Sequence, residues 1–173
     1  MMFRFLTKHL DHKTMIQLYY SFIYPRLIYG IEFWGHAADS HLKKIFTSQK
    51  KALRIINKQP PNSHISHKFE EEKIMPIFML FKFRLIIYYH KHYYHESNLE
   101  ARTYQTRNCF KPRIPMVKTE KGKRSMLITA SKLFSEYGWE FRQLPADGFK
   151  RALAAHLWAA GGVPDKWPPL FRT

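Results

Sequence analysis

Ser40-His41-Leu42-Lys43-Lys44-Ile45-Phe46-Thr47-Ser48-Gln49-Lys50-Lys51-Ala52-Leu53-Arg54-Ile55-Ile56 reads as one amphipathic helix, with Asp39 or Ser40 as its candidate cap. Leu42, Ile45, Phe46, Gln49, Leu53 and Ile56 recur at the spacing that puts them on one side of a 3.6-residue spiral. Leu53 and Ile56 are therefore expected in a core. Lys43, Lys50 and Arg54 form a stripe on the other side, with Lys44 and Lys51 beside it and Lys58 just beyond. No acidic residue occurs between Asp39 and Glu70, whereas ordinary solvated helix faces mix both signs.

Upstream, Asp11 can cap a helix carrying Met15, Leu18, Tyr19 and Phe22, which Pro25 ends or kinks near Tyr24. A short helical or irregular piece then holds Leu27, Ile28, Ile31 and Trp34. Downstream, the proline pair in Asn57-Lys58-Gln59-Pro60-Pro61-Asn62-Ser63 must stop the helix and open a loop. Ser66 and Glu70 suggest a brief capped helix. Pro76 suits a first helical position, and Ile77 to about Tyr94 is apolar nearly all round, as in the buried central helix of a bundle. Strand is the competing reading there, and the length favours helix.

From Glu96 to Gly122 the periodicity is lost and basic and polar residues take over, with room for a short β-hairpin near 106–118. Two further helices are expected, from Ser125 to about Tyr137 and from Asp147 to Trp158, the second with Phe149, Leu153, His156 and Leu157 on one side. The expectation is a mainly α protein. Residues 1–95 form a helical bundle whose helices start near residue 11, 96–124 a basic irregular linker or hairpin, 125–160 a smaller helical subdomain and 161–173 a flexible tail.

With 45% hydrophobic and 16% aromatic residues in 173, the chain has ample material for a core and is not of the disordered class. Its 29 lysines and arginines against 13 acids leave a formal charge of +16, which points to a polyanionic partner, nucleic acid ahead of a membrane surface. The single cysteine, Cys109, excludes an internal disulfide framework and suits a reducing, intracellular compartment. Arg4 and Lys8 interrupt the apolar start before a signal-peptide core develops. The apolar run Ile74–Tyr89 is short and holds Lys82 and Arg84 near its centre, so it reads as a core helix and not a membrane span.

A second basic cluster lies in the irregular segment, where Arg107, Lys111, Arg113, Lys123 and Arg124 join Arg102, Lys118 and Lys121 around one acid, Glu120. Tyr104 and Phe110 there either stack on bases or anchor the loop to the core. His90, His92 and His95 crowd one helix end and His64 and His67 sit three apart, but with a single cysteine their spacing fits no zinc framework, and no metal site is assigned. Asp11, Asp39, Asp147 and Asp165 are scattered, so no carboxylate set for two-metal catalysis is recognised. There is no phosphate loop or nucleophile motif, and no cofactor is implied.

Leu18-Tyr19-Tyr20-Ser21-Phe22-Ile23-Tyr24-Pro25-Arg26-Leu27-Ile28-Tyr29-Gly30, then Trp34-Gly35, then Gln49-Lys50-Lys51-Ala52-Leu53-Arg54-Ile55-Ile56, resembles the region after the polymerase palm in arthropod non-LTR (LINE) retrotransposons of the Jockey and CR1 type, tick transposons among them. Phe69, Ile74-Met75-Pro76-Ile77 and Tyr88-Tyr89-His90-Lys91 are similar to that family's next helices. Thr106-Arg107-Asn108, Gly122-Lys123-Arg124-Ser125, Leu144-Pro145 and Phe149-Lys150 are similar to its C-terminal portion. The likeness covers residues 11–158. The family's Trp-Asn ahead of the Leu-Pro pair is replaced, Lys132-Leu133-Phe134-Ser135 standing in the comparable place.

The resemblance implies that 1–95 is a thumb-like bundle helping to cradle template RNA and primer DNA, outside the catalytic palm, endonuclease and RNase H sites. Such a chain is no enzyme by itself. Its expected partner is RNA or DNA, held through phosphates by Lys43, Lys44, Lys50, Lys51, Arg54 and Lys58, and secondarily by Arg107, Lys111, Arg113, Lys123 and Arg124. The alternative expectation is a helical interaction module that packs against the palm of the parent polyprotein or self-associates.

Overall fold

The computed structural model describes residues 5–7, 9–94 and 116–160, whose regular structure is helical with no strand among them. The protein is mainly α. Residues 106–115 of the hairpin expectation lie outside the described residues, and Met116–Thr119 are irregular. The described residues cluster into two compact units, one ending at Leu80 and one beginning at Phe81. Periodicity alone puts a boundary at 95, where helical patterning stops. The division falls instead inside a continuous helix, because packing partners and not chain regularity define a unit.

In the first unit, α1 (His12–Leu18) starts at Asp11, whose carboxylate accepts the Thr14 backbone N–H as expected of a cap. Pro25 does not end this helix. The chain widens into a π-helical turn, Tyr19–Ile23, in which the Tyr24 N–H donates to the Tyr19 carbonyl, and then enters α2 (Tyr24–Ile28) with Pro25 in its first turn. The wider turn gives the proline ring the space that a regular α-helix denies it, which is why the segment continues. Gly30, at φ 62, makes the left-handed step into α3 (Ile31–Trp34), whose Trp34 Nε1 donates back to the Tyr29 carbonyl at 2.6 Å.

α4 (Asp39–Ile56) is the expected amphipathic helix. Its N-cap is Ala38 with no side-chain hydrogen bond, so neither Asp39 nor Ser40 caps it; Asp39 instead sits in the first turn, where its charge opposes the helix dipole favourably. Leu42, Phe46, Gln49, Leu53 and Ile56 are buried, and Ile45 is half-buried. The Phe46 ring packs against Phe69 of α5 (Ser66–Glu71) at 5.9 Å and edge-on against Phe78 of α6 (Ile77–Tyr89) at 5.7 Å. Both α4 and α5 close with a lysine in the left-handed region, Lys58 and Lys73, each at φ 52. The Gln59 N–H reaches the Arg54 carbonyl and the Ile74 N–H the Phe69 carbonyl, the back-bonds of a Schellman closure.

Tyr19 is buried to 0% exposure, and burial drives its phenol pKa upward. An unfolded tyrosine ionises near pH 10, while this one stays protonated well above that. Its contribution is complete below about pH 10 and is lost as pH rises, at up to about 1.4 kcal/mol per pH unit, because only the unfolded chain sheds the proton. Urea denaturation at about pH 9 and about pH 11 should show this decline, and Tyr19→Phe should make it shallower.

The second unit packs the later part of α6 and the π-helical turn His90–Tyr94 with α8 (Met126–Leu133), its π-helical extension Phe134–Gly138 and α9 (Ala146–Ala160), α7 being the short Glu120–Lys123. Leu85, Ile86, Ile128, Phe134, Phe149, Leu153 and Leu157 are buried, matching the expected apolar side of the last helix except for half-buried His156. Gly138 is closely packed: a Cβ there would lie 2.9 Å from the Phe134 ring and 3.0 Å from Ile86, so these buried side chains would have to shift to admit one. The His90 ring stacks on Phe149 at 4.0 Å and 11°. Lys82 is half-buried with its ammonium 4.9 Å above the Tyr137 ring, and burial lowers its pKa.

Candidate nucleic-acid interface

α4 is held by its apolar side, so the opposite side is fixed in the solvent. Lys43, Lys44 and Lys51 are exposed there, as is Lys58 on the left-handed step that follows the helix. None of these four makes an ion pair among the described residues. Lys44 and Lys51, two turns apart, lie about 10 Å from each other along one stripe. Asp39 is the helix's single acid and sits at its far end.

Two members of the expected set do structural work as well. The Lys50 ammonium sits 4.7 Å over the ring of buried Phe46, one turn back, so this side chain is half-buried and not on a fully solvated face. Arg54 is also half-buried and donates Nε–H to the Ser63 carbonyl at 3.0 Å. That bond spans the proline turn and ties the loop to the helix. The rest of the guanidinium makes no hydrogen bond among the described residues.

Of the second set, Arg107, Lys111 and Arg113 lie outside the described residues. Lys123 ends α7 half-buried and Arg124 follows it exposed, both in the second unit. The structure therefore gathers the first six cations on one helix and its closing turn, and puts the described members of the second set in the other unit.

Some basic residues at cavities escaped the sequence reading. Arg26 of α2 is one of them: together with Lys44, which was expected, it flanks an apolar groove of 570 Å³ built on Phe22, Ile23, Leu27 and Ile45. In the second unit, Lys91, Arg142 and Lys150 line a cavity of 730 Å³ beside the stacked His90 and Phe149. Arg142 is oriented by Trp139, its guanidinium 4.2 Å over the ring and donating to the Trp139 carbonyl. A signal for this second group was absent from local sequence, since Lys91 and Arg142 are brought together by tertiary packing.

No protein-family model, curated protein or solved structure matches this chain.

The described carboxylates are dispersed. Glu72 bonds His12 at 2.7 Å, Glu71 pairs with Lys68 within α5, and Asp147 pairs with Lys150 at 3.2 Å. Among the described residues no three His, Cys, Asp or Glu side chains converge on a metal position, and no helix is long and apolar enough to cross a membrane.

Proposed function

We propose that this chain is a non-catalytic part of a non-LTR retrotransposon reverse transcriptase that holds template RNA or primer DNA by its phosphate backbone. The observation that carries the reading is the outward side of α4 and its closing turn, where Lys43, Lys44, Lys51 and Lys58 stand exposed without an ion pair among the described residues. Lysines on a rigid helix position a strand by charge and release its condensed counterions, without reading base sequence. Lys50 and Arg54 contribute from half-buried positions, fixed by Phe46 and Ser63.

A second reading is favoured by a different surface. Tyr29 and Phe33 are 84% and 71% exposed, Phe22 is also exposed, and the apolar groove of α2 and α4 lies in the same unit. Such a surface fits a helical module that packs against the palm of a parent polyprotein or against another copy of itself.

Salt separates the two. With about five phosphates neutralised on a single strand, log affinity should fall against log salt with a slope of about −3 to −4. Replacing Lys43, Lys51 and Lys58 by uncharged residues should flatten the slope by about two units while the melting transition is kept, because all three are exposed. An unchanged slope in the folded triple variant would transfer the weight to the interaction module.

A further inference from the structure

Backbone tracking by α4 has no use for a cleft, yet one of 840 Å³ opens where the helix ends. Its lining combines three kinds of chemistry. Lys51, Arg54 and Lys58 supply positive charge; Ile55 and Pro61 supply an apolar surface; Gln59 and Asn62 supply amides, each of which donates and accepts. The amides of Gln59 and Asn62 are exposed and make no hydrogen bond among the described residues.

The cleft is also pre-formed. Pro60 and Pro61 fix their own φ angles, and the Ser63 N–H closes the turn onto the Pro60 carbonyl at 3.2 Å. The loop is pinned to the helix at both ends, by the Gln59 N–H on the Arg54 carbonyl at 2.9 Å and by Arg54 Nε on the Ser63 carbonyl at 3.0 Å. A site already ordered loses little entropy when it is filled.

Cations, an apolar surface and unbonded amides match the three parts of a nucleotide: phosphate, base face and base edge. We propose that the cleft receives one unpaired nucleotide of a bound strand, its base against Ile55 and Pro61, its edge on Gln59 and Asn62, and its flanking phosphates on Lys51, Arg54 and Lys58. This rests on the reading of α4 as a phosphate-binding helix and adds to it a preference for single strands. In a duplex the base is stacked and paired, and entering the cleft requires extruding it.

The test uses the full chain and three labelled probes of equal length at one salt concentration: an intact single strand, the same strand made abasic, and a duplex. The abasic strand keeps every phosphate, so any loss of affinity belongs to the bases. The intact strand is expected to bind about tenfold tighter than the abasic one, a ratio within reach of amide hydrogen bonds to the base edge together with contact of the base on an apolar surface. The Gln59→Ala, Asn62→Ala double variant should bring that ratio toward one and leave abasic affinity and salt slope unchanged. Lys58→Gly, which suits the left-handed φ, should weaken intact and abasic strands alike.

Equal binding of intact and abasic strands, both salt-dependent, would overturn the nucleotide cleft and leave the phosphate-binding reading standing. Absence of binding by either strand would remove both. A ratio that survives in the folded double variant would place the base contact elsewhere and overturn the inference. Displacement of the intact strand by a stoichiometric amount of uridine monophosphate would make a free nucleotide the ligand, and would overturn the assignment to a strand.

Discussion

Leu53→Ala is expected to destabilise the first unit by about 2–5 kcal/mol, the cost of emptying a leucine-sized space that the surroundings refill only in part. Leu53 has 0% exposure and sits on the buried side of α4 with Phe46 and Ile56. Lys50→Ala, one turn earlier, gives the contrast. Read as a solvated residue it would cost under about 0.5 kcal/mol. Its ammonium over the Phe46 ring raises the expectation to about 0.5–1 kcal/mol, since the cation–π contact and the packing of the alkyl stem are lost together. Urea denaturation of the two variants measures both. Equal costs would mean that the buried and outward sides of α4 are misassigned.

The contrast shows where the sequence is legible. The spacing of Leu42, Phe46, Gln49, Leu53 and Ile56 marks the buried side because a single helix imposes its period on whatever it packs against. Asp11 is readable as a cap for the same local reason. Pro25 is readable only as an end or a kink, because the wider π-helical turn from Tyr19 to Ile23 that carries the chain past it has no residue signature of its own. The left-handed φ at Lys58 and Lys73 is equally silent, since glycine or asparagine is the usual marker of such a step.

The basic stripe follows from helical period alone, so Lys43, Lys44 and Lys51 are found where the sequence puts them. The cleft does not. It depends on the turn that returns Ser63 to Arg54, and a proline pair announces only that the chain leaves the helix. Lys91 and Arg142 are further out of reach of any local pattern, being joined by packing across some fifty residues of chain.

Gln49 shows what a hydropathy pattern conceals, and its replacement carries the other large expected effect. A polar residue at 2% exposure is stable only if its amide is fully used, and here it is. Nε2 donates to the Tyr19 hydroxyl at 2.8 Å and to the Met75 carbonyl at 2.9 Å, and Oε1 accepts the Ile77 N–H at 2.9 Å. One side chain thus joins α4 to the π-helical turn after α1 and satisfies a backbone donor at the start of α6. Gln49→Leu keeps the volume and removes all three bonds. The Ile77 N–H is left without its acceptor in a buried place, and the Tyr19 hydroxyl and Met75 carbonyl each lose a donor. The Met75 carbonyl is only half-buried and can turn to water, so at about 1–3 kcal/mol for each of the two buried groups left unpaired the expected loss is about 2 kcal/mol or more. Gln49→Glu supplies a check that a simple packing defect would not pass. Its carboxylate can still accept from Ile77 but cannot donate to Met75, and burial raises its folded pKa above the unfolded value near 4.3. The stability it retains is therefore full below about pH 4 and is lost as pH rises through the folded pKa. The Gln49→Glu variant should approach the parent protein in acid and fall furthest behind it near neutrality, whereas the deficit of Gln49→Leu, which adds no titrating group, should change much less across that range. A Gln49→Leu variant as stable as the parent would show that the three bonds do not hold these helices together.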